Sequence, residues 1–66
     1  MEIFVNGITM SCPERCSLQH LLTLLEIPES GTAAARNDAV VRKALYAETT
    51  LMSGDRIEII RAVAGG

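Results

Sequence analysis

The chain has 66 residues, enough for one small domain, and 48% of them are hydrophobic, which favours a folded core over disorder. Its formal charge is −2 at pH 7, and the six Lys and Arg residues are scattered, which excludes the basic surface typical of nucleic-acid-binding proteins. The sequence has no apolar run long enough to cross a bilayer and too few cysteines for a disulfide framework, so we expect a cytoplasmic protein.

Residues 1–12 are predicted to form a β-hairpin. Asn6-Gly7 is the favoured dipeptide of a type I′ turn, because both central residues of that turn need positive φ. A two-residue turn also sets the register, so that alternate residues of both strands share a face. The apolar residues predicted on the core face are Met1, Ile3, Val5, Ile8, Met10 and Cys12. Phe4 points the other way, as a large apolar side chain on the outer face.

A helix is predicted to begin at Leu18, with Ser17 as its N-cap. Apolar residues then recur at the spacing of one helical stripe, which predicts that this face packs on the core. The stripe consists of Leu18, Leu21, Leu22 and Leu25. Pro28 disfavours helix at Ile27, so residues 28–31 are predicted to be a loop.

Residues 33–47 carry conflicting local signals. The alanines favour a helix, whereas Asn37-Asp38 is a turn pair and Val40-Val41 is β-branched. Local propensity therefore leaves helix and strand open. The charged side chains expected to be solvated here are Arg36, Asp38, Arg42 and Lys43.

The last predicted strand follows a turn at residues 53–55 and begins at Arg56. Alternation places Ile57 and Ile59 inward and Ile60 outward, beside Glu58. We therefore expect Ile60 on the outer face of the sheet.

The chain ends in Ala64-Gly65-Gly66, a pairing of terminal glycines expected by chance in about one chain in 200. We expect a folded domain over residues 1–61 and a flexible tail over residues 62–66. A terminus without side chains is slim enough to thread a narrow channel. The alternative interpretation is that the glycines have no function, because chain termini commonly fray and tolerate glycine.

The order of hairpin, amphipathic helix, middle segment, final strand and Gly-Gly tail resembles the β-grasp, or ubiquitin-like, fold. Residues 1–5 resemble the opening of ubiquitin, whereas the short length, the Asn6-Gly7 hairpin, the turn at 53–55 and the ending at 63–66 are more similar to the sulfur-carrier family of thiamine biosynthesis. The resemblance covers the whole chain. It implies an α+β fold, with a mixed sheet packed on one amphipathic helix.

The resemblance also implies a structure for the middle segment. Residues 33–36 are expected to be a strand, Asn37-Asp38 a turn, Val40-Val41 the return strand, and residues 44–46 a short helical turn.

The family's chemistry implies that the chain is a carrier and not an enzyme, because the reactive group is the terminal carboxylate of Gly66. In the family this carboxylate attacks the α-phosphate of ATP on an E1-like adenylating enzyme. A persulfide sulfur, supplied ultimately by a cysteine desulfurase, then displaces AMP and leaves a thiocarboxylate. Thiazole synthase is the implied acceptor, for the thiazole ring of thiamine. ATP binds the partner, so no cofactor is expected on this chain, which we expect to be a monomer when alone.

Two outward apolar residues are candidates for partner binding. The resemblance makes the first and last strands parallel neighbours, so Phe4 and Ile60 are expected to form one patch that docks the adenylating enzyme. Single exposed apolar residues are common, and ordinary surface is the alternative.

Three other functions remain open at this point. The small subunit of molybdopterin synthase uses the same tail chemistry. A ubiquitin-like modifier would join Gly66 to lysine through an isopeptide bond. A plain β-grasp interaction module would have an incidental tail.

Cys12, Cys16 and His20 are each four residues apart. They offer three ligands where a structural zinc site normally has four, so we predict no metal site. Strand alternation places Cys12 on the core face, where we expect it to pack as a small hydrophobic side chain. Cys16 is a candidate for an exposed, reactive thiol.

Overall fold

One mixed sheet, one α-helix and one 3-10 helix make up residues 1–61, the part of the chain that the computed structural model describes. The elements in chain order are β1 (Glu2–Val5), β2 (Ile8–Ser11), α1 (Leu18–Leu24), β3 (Thr32–Arg36), β4 (Ala39–Val41), the 3-10 helix (Lys43–Glu48) and β5 (Arg56–Arg61). The strand order is β2-β1-β5-β3-β4, with β1 and β5 parallel and the other neighbours antiparallel. The buried leucines of α1 share one cluster with the inward residues of the strands. This arrangement confirms the predicted α+β β-grasp fold.

The β1–β2 hairpin has the predicted turn and register. Asn6 and Gly7 have φ of 51° and 82°, and Val5 pairs with Ile8 across the turn. Ile3 is fully buried on the core face, as predicted, but Ile8 is 72% exposed. The difference arises because β2 is an edge strand and Ile8 lies at its turn end, on the rim of a groove that reaches to the end of α1.

Both ends of α1 are closed by local hydrogen bonds. Ser17 accepts a hydrogen bond from the backbone N–H of His20 at 3.0 Å, which confirms the predicted N-cap. At the other end, the N–H of Ile27 donates to the carbonyl of Leu22 at 2.9 Å and the N–H of Glu26 donates to that of Thr23 at 3.1 Å. This pair of bonds is a Schellman motif, in which Glu26 has a φ of 58°.

The middle segment is strand, turn and strand, as the resemblance implied. β3 lies between β4 and β5, and Ala34 is 3% exposed in the core. Asn37 and Asp38 form the turn with φ of 49° and 71°. Pairing of β3 with β5 on one side and β4 on the other satisfies backbone groups that a local helix would otherwise have satisfied.

Arg36 is not a solvated charge, which corrects the prediction. Its Nε lies 2.7 Å from Oδ2 of Asp55, whose side chain is 8% exposed. Arg36 lies on the core-facing side of β3, so its guanidinium reaches the buried carboxylate at the start of β5. The pair between Asp38 and Arg56 at 3.1 Å is exposed, as expected for solvated charges.

Within residues 1–61, no helix combines the length and the apolar character needed to cross a membrane.

Candidate functional site

The predicted reactive residue, Gly66, lies outside the described residues, as does the rest of the predicted tail over residues 62–66, which includes Ala64 and Gly65. The structure does describe the strand that leads to them. β5 is a central strand, flanked by β1 on one side and β3 on the other. Its last residue, Arg61, pairs with Thr32 at the beginning of β3. The chain therefore remains part of the sheet up to the residue before the predicted tail.

Asn6 binds β5 close to that point. Its Oδ1 accepts a hydrogen bond from the N–H of Ile59 at 2.8 Å, and its Nδ2 donates to the carbonyl of Ile59 at 3.3 Å. The backbone N–H of Asn6 donates to the carbonyl of Ile57 at 2.9 Å. In the sequence Asn6 is recognisable only as a turn residue, because a contact with a residue 53 positions away leaves no signal in the local pattern.

Phe4 and Ile60 both lie on the outer face of the sheet, with 37% and 64% exposure. β1 and β5 are parallel neighbours, as expected, but the register pairs Phe4 with Arg56. Ile60 therefore lies about 13 Å further along β5, at 3.3 Å per residue. The two side chains are separate apolar points on one face, and the expectation that they form a single patch is corrected by this register.

The surroundings of the two side chains differ. Phe4 lines a shallow depression of about 310 Å³ together with Arg56 and Glu58. Ile60 lies across from Ala33 on β3, whose methyl group is small and exposed. Ile60 therefore has a small, exposed alanine as its cross-strand neighbour, whereas Phe4 lies beside charges of both signs.

The two cysteines are buried in the core, with 5% exposure for Cys12 and 1% for Cys16. The position of Cys12 is as predicted, but Cys16 is not exposed. Burial, together with the neighbouring thiol of Cys12, raises the pKa of the Cys16 thiol above its ordinary value. His20 is exposed on α1. Within residues 1–61 no group of three His, Cys, Asp or Glu side chains is arranged to hold a metal ion.

Asp55 anchors the loop that enters β5. It accepts hydrogen bonds from the N–H of Met52 at 2.8 Å, from Nδ2 of Asn37 at 3.0 Å and from Nε of Arg36 at 2.7 Å. Burial by itself raises the pKa of this carboxyl, but the three hydrogen bonds and the charge of Arg36 outweigh it, so the pKa lies below its ordinary value. Asp55 is therefore ionised and structural.

Known proteins resemble this chain over its whole length. A sequence model described as the ThiS family matches residues 3–66. The chain is 30% identical to the sulfur carrier protein ThiS of Escherichia coli (strain K12) over 66 residues, which is 100% of both chains. The crystal structure of the thiamine biosynthesis protein ThiS from Geobacter metallireducens superposes with a TM-score of 0.87 at 25% identity and covers 100% of each chain.

A further relative is much longer than this chain. A thiazole synthase of Paramagnetospirillum magneticum is 29% identical to all 66 residues, which make up 20% of that protein. The chain thus spans a fifth of that relative and the full length of the Escherichia coli one. From the family match and the shared β-grasp fold together, the chain belongs to the ThiS family of sulfur carrier proteins.

Proposed function

We propose that this chain carries sulfur as a thiocarboxylate on Gly66 and donates it for the thiazole ring of thiamine. The observation that carries the proposal is the family match, which extends through Gly65 and Gly66. The sheet supports it, because β5 leads from the centre of the sheet to the residue before the tail. The chain itself needs only to present a carboxylate.

The chemistry proceeds in three steps. The carboxylate of Gly66 attacks the α-phosphorus of ATP, and pyrophosphate leaves; α-carboxyl groups are ordinarily ionised at neutral pH. The terminal sulfur of a persulfide then attacks the acyl carbon of the adenylate, and AMP leaves. This forms an acyl disulfide, in which the sulfur–sulfur bond is the one that the persulfide brought. A thiol then attacks the sulfur of the persulfide carrier, which breaks that bond, leaves the thiocarboxylate on Gly66 and joins the thiol to the persulfide carrier in a disulfide.

The partners follow from these steps. An E1-like adenylating enzyme binds the ATP, and a cysteine desulfurase supplies the persulfide sulfur indirectly. Thiazole synthase is the proposed acceptor, a choice supported by the relative of that name which contains a segment similar to this whole chain. We place the reaction in the cytoplasm, with the carrier as a monomer between encounters.

Glycine at positions 65 and 66 has a steric reason in this scheme. A Cβ at Gly65 would crowd the acyl carbon during attack and narrow the φ range of the threaded tail. We expect Gly65→Val, or deletion of Gly66, to reduce pyrophosphate release by the adenylating enzyme at least about a hundredfold, comparable to misplacing a reacting group. Thermal unfolding should stay as in the wild type, because the described core cluster is built from residues between Met1 and Ile59.

The test is pyrophosphate release followed by intact-mass measurement after addition of a persulfide donor and a thiol. We expect the intact mass to show that one carboxyl oxygen has been replaced by sulfur, and fragmentation to locate this change at Gly66. A Cys12→Ala, Cys16→Ala double variant is the control and should be charged equally. Sulfur on either cysteine, or a lysine conjugate in place of a thiocarboxylate, would contradict the proposal.

A further inference from the structure

Asn6 occupies the point where β5 loses its partner on the β1 side. β1 ends at Val5, and a φ of 51° at Asn6 turns the backbone away from β5 into the hairpin. The backbone N–H and carbonyl of Ile59 nevertheless need partners on this side, since unpaired polar groups in a sheet interior are costly. The Asn6 side chain supplies both, at 2.8 Å and 3.3 Å.

The side-chain amide of Asn6 thus substitutes for a peptide group of a longer β1. A carboxamide has the same donor and acceptor as a backbone amide, so it continues the parallel ladder without continuing the strand. β3 pairs with the same part of β5 from the other side, from Ala34 opposite Ile59 to Thr32 opposite Arg61. Among the described residues, Ile59 is therefore held by β3 on one side and by Asn6 on the other, and Ile60 and Arg61 follow it with β3 as their partner.

From this geometry we infer that Asn6 is a positioning residue for the chemistry at Gly66, an inference that rests on the proposed function. The bonds to Ile59 fix the place from which the tail starts. If residues 59–61 detach, the segment between the fixed sheet and the Gly66 carboxylate lengthens from five residues to eight. The effective concentration of the carboxylate at the enzyme's active site then falls about twofold, from the −3/2 power dependence on length.

Detachment of the strand end has a second consequence. Ile60 belongs to the same three residues, and its outward orientation depends on β5 remaining in register with Ala33. A frayed strand end therefore displaces both Ile60, a side chain expected to dock the adenylating enzyme, and the residue from which the tail starts. Tail insertion and side-chain docking both contribute to the affinity of the carrier for the adenylating enzyme, and neither alters the chemical step. Asn6 should therefore influence KM and leave kcat unchanged.

A matched control lies at the opposite end of the same strand. Asn37 is also the first residue of a hairpin turn with positive φ, at 49°. Its Oδ1 accepts from the N–H of Arg56 at 2.9 Å, and its backbone N–H donates to the carbonyl of Arg56 at 2.8 Å. Asn37 thus binds β5 with the same kind of contacts, but at the end remote from the tail.

The experiment compares Asn6→Gly with Asn37→Gly in the full chain. Glycine tolerates the positive φ at both turns, so each variant removes the side-chain hydrogen bonds and keeps the hairpin. The measurements are amide hydrogen exchange at Ile59 to Arg61, thermal unfolding, and steady-state pyrophosphate release with the adenylating enzyme. We expect Asn6→Gly to accelerate exchange at Ile59 and to raise KM about two- to fivefold with unchanged kcat. Asn37→Gly should lower thermal stability at least as much and leave KM at the wild-type value.

The outcomes separate the two proposals. Wild-type carrier that releases no pyrophosphate with its enzyme overturns the proposed function. If the wild type is active, an unchanged KM in Asn6→Gly overturns the positioning role. Equal KM increases in both glycine variants also overturn it, because the effect would then follow from general destabilisation.

Discussion

Residues other than glycine adopt positive φ at five described positions: Asn6, Arg15, Glu26, Asn37 and Asp38. Asparagine tolerates this conformation better than most residues, and here the two asparagine side chains also bind β5. Glu26 gains no such contact and closes α1 with a conformation that costs an L-residue about 1 kcal/mol. The same backbone geometry is thus functional at one turn and only tolerated at another.

Replacement of Glu26 should therefore stabilise the protein. We expect Glu26→Gly to raise the free energy of unfolding by about 0.5–1 kcal/mol, because relief of the strained φ exceeds the entropy lost by glycine on folding. Denaturant titration measures the change. Glu29→Gly, at a position without positive φ, is the control and should lower stability. A less stable Glu26→Gly protein would show that the Schellman turn carries no strain.

At the scale of elements, β5 links the core to the tail and exposes its outer face. Ile57 and Ile59 alternate into the core, whereas Arg56, Glu58 and Ile60 face outward. The parallel pairing with β1 begins at Phe4 and Arg56, so the tail end of β5 extends beyond the reach of Phe4. Of the two outward apolar side chains, Ile60 therefore lies nearer the tail end of β5 and Phe4 lies further from it.

This arrangement predicts unequal effects of two truncations on partner binding. Ile60→Ala should weaken affinity for the adenylating enzyme about tenfold, since buried apolar anchors near the centre of an interface contribute most. Phe4→Ala should weaken it less, because Phe4 is half-covered by its own surroundings. Val40→Ala, which removes an 80% exposed apolar side chain on β4, is the control and should bind normally. Isothermal titration calorimetry would measure the affinity of all three variants for the enzyme. Wild-type affinity in Ile60→Ala would show that this face has no role in binding the enzyme.

At the scale of the whole molecule, Asp55 joins distant parts of the chain. Its carboxylate is bonded to the loop at Met52, to Arg36 on β3 and to Asn37 in the turn beyond it. These bonds connect the start of β5 to the β3–β4 hairpin. A single buried carboxylate thus fixes the end of the sheet that is remote from the tail.

The lowered pKa of Asp55 predicts a pH dependence of stability. The unfolded carboxyl takes up a proton near pH 4, whereas the folded one stays ionised to lower pH, so the contribution is complete above about pH 5 and is lost as pH falls through the folded pKa. Asp55→Asn should reduce stability at pH 7 by about 1–3 kcal/mol and flatten this acid dependence. Asp38→Asn, in an exposed pair, should change stability by less than about 1 kcal/mol. Thermal unfolding between pH 3 and pH 7 tests both variants, and an equally steep acid loss in Asp55→Asn would assign it to other groups.

Local patterns in the sequence determined the hairpin, the start of α1 and the inward face of β5. The Asn6-Gly7 turn fixes the register of the hairpin strands. Ser17 caps α1 by accepting a hydrogen bond from the N–H of His20, three residues along the chain. The resemblance to a known family supplied the β3–β4 hairpin, which propensity alone left open, and the tail chemistry, which remains a proposal. These features could be predicted from the sequence because the interactions behind them join residues close in sequence, or because the order of elements is the same as in the known family.

Only the tertiary structure decided the rest. The exposure of Ile8, the burial of Cys16 and the separation of Phe4 from Ile60 depend on where the sheet edge, α1 and the β1–β5 register lie. The contacts of Asn6 with Ile59 and of Arg36 with Asp55 join residues 53 and 19 positions apart. Alternation and propensity describe neighbours along the chain, whereas these contacts form between elements that meet only after the sheet has assembled.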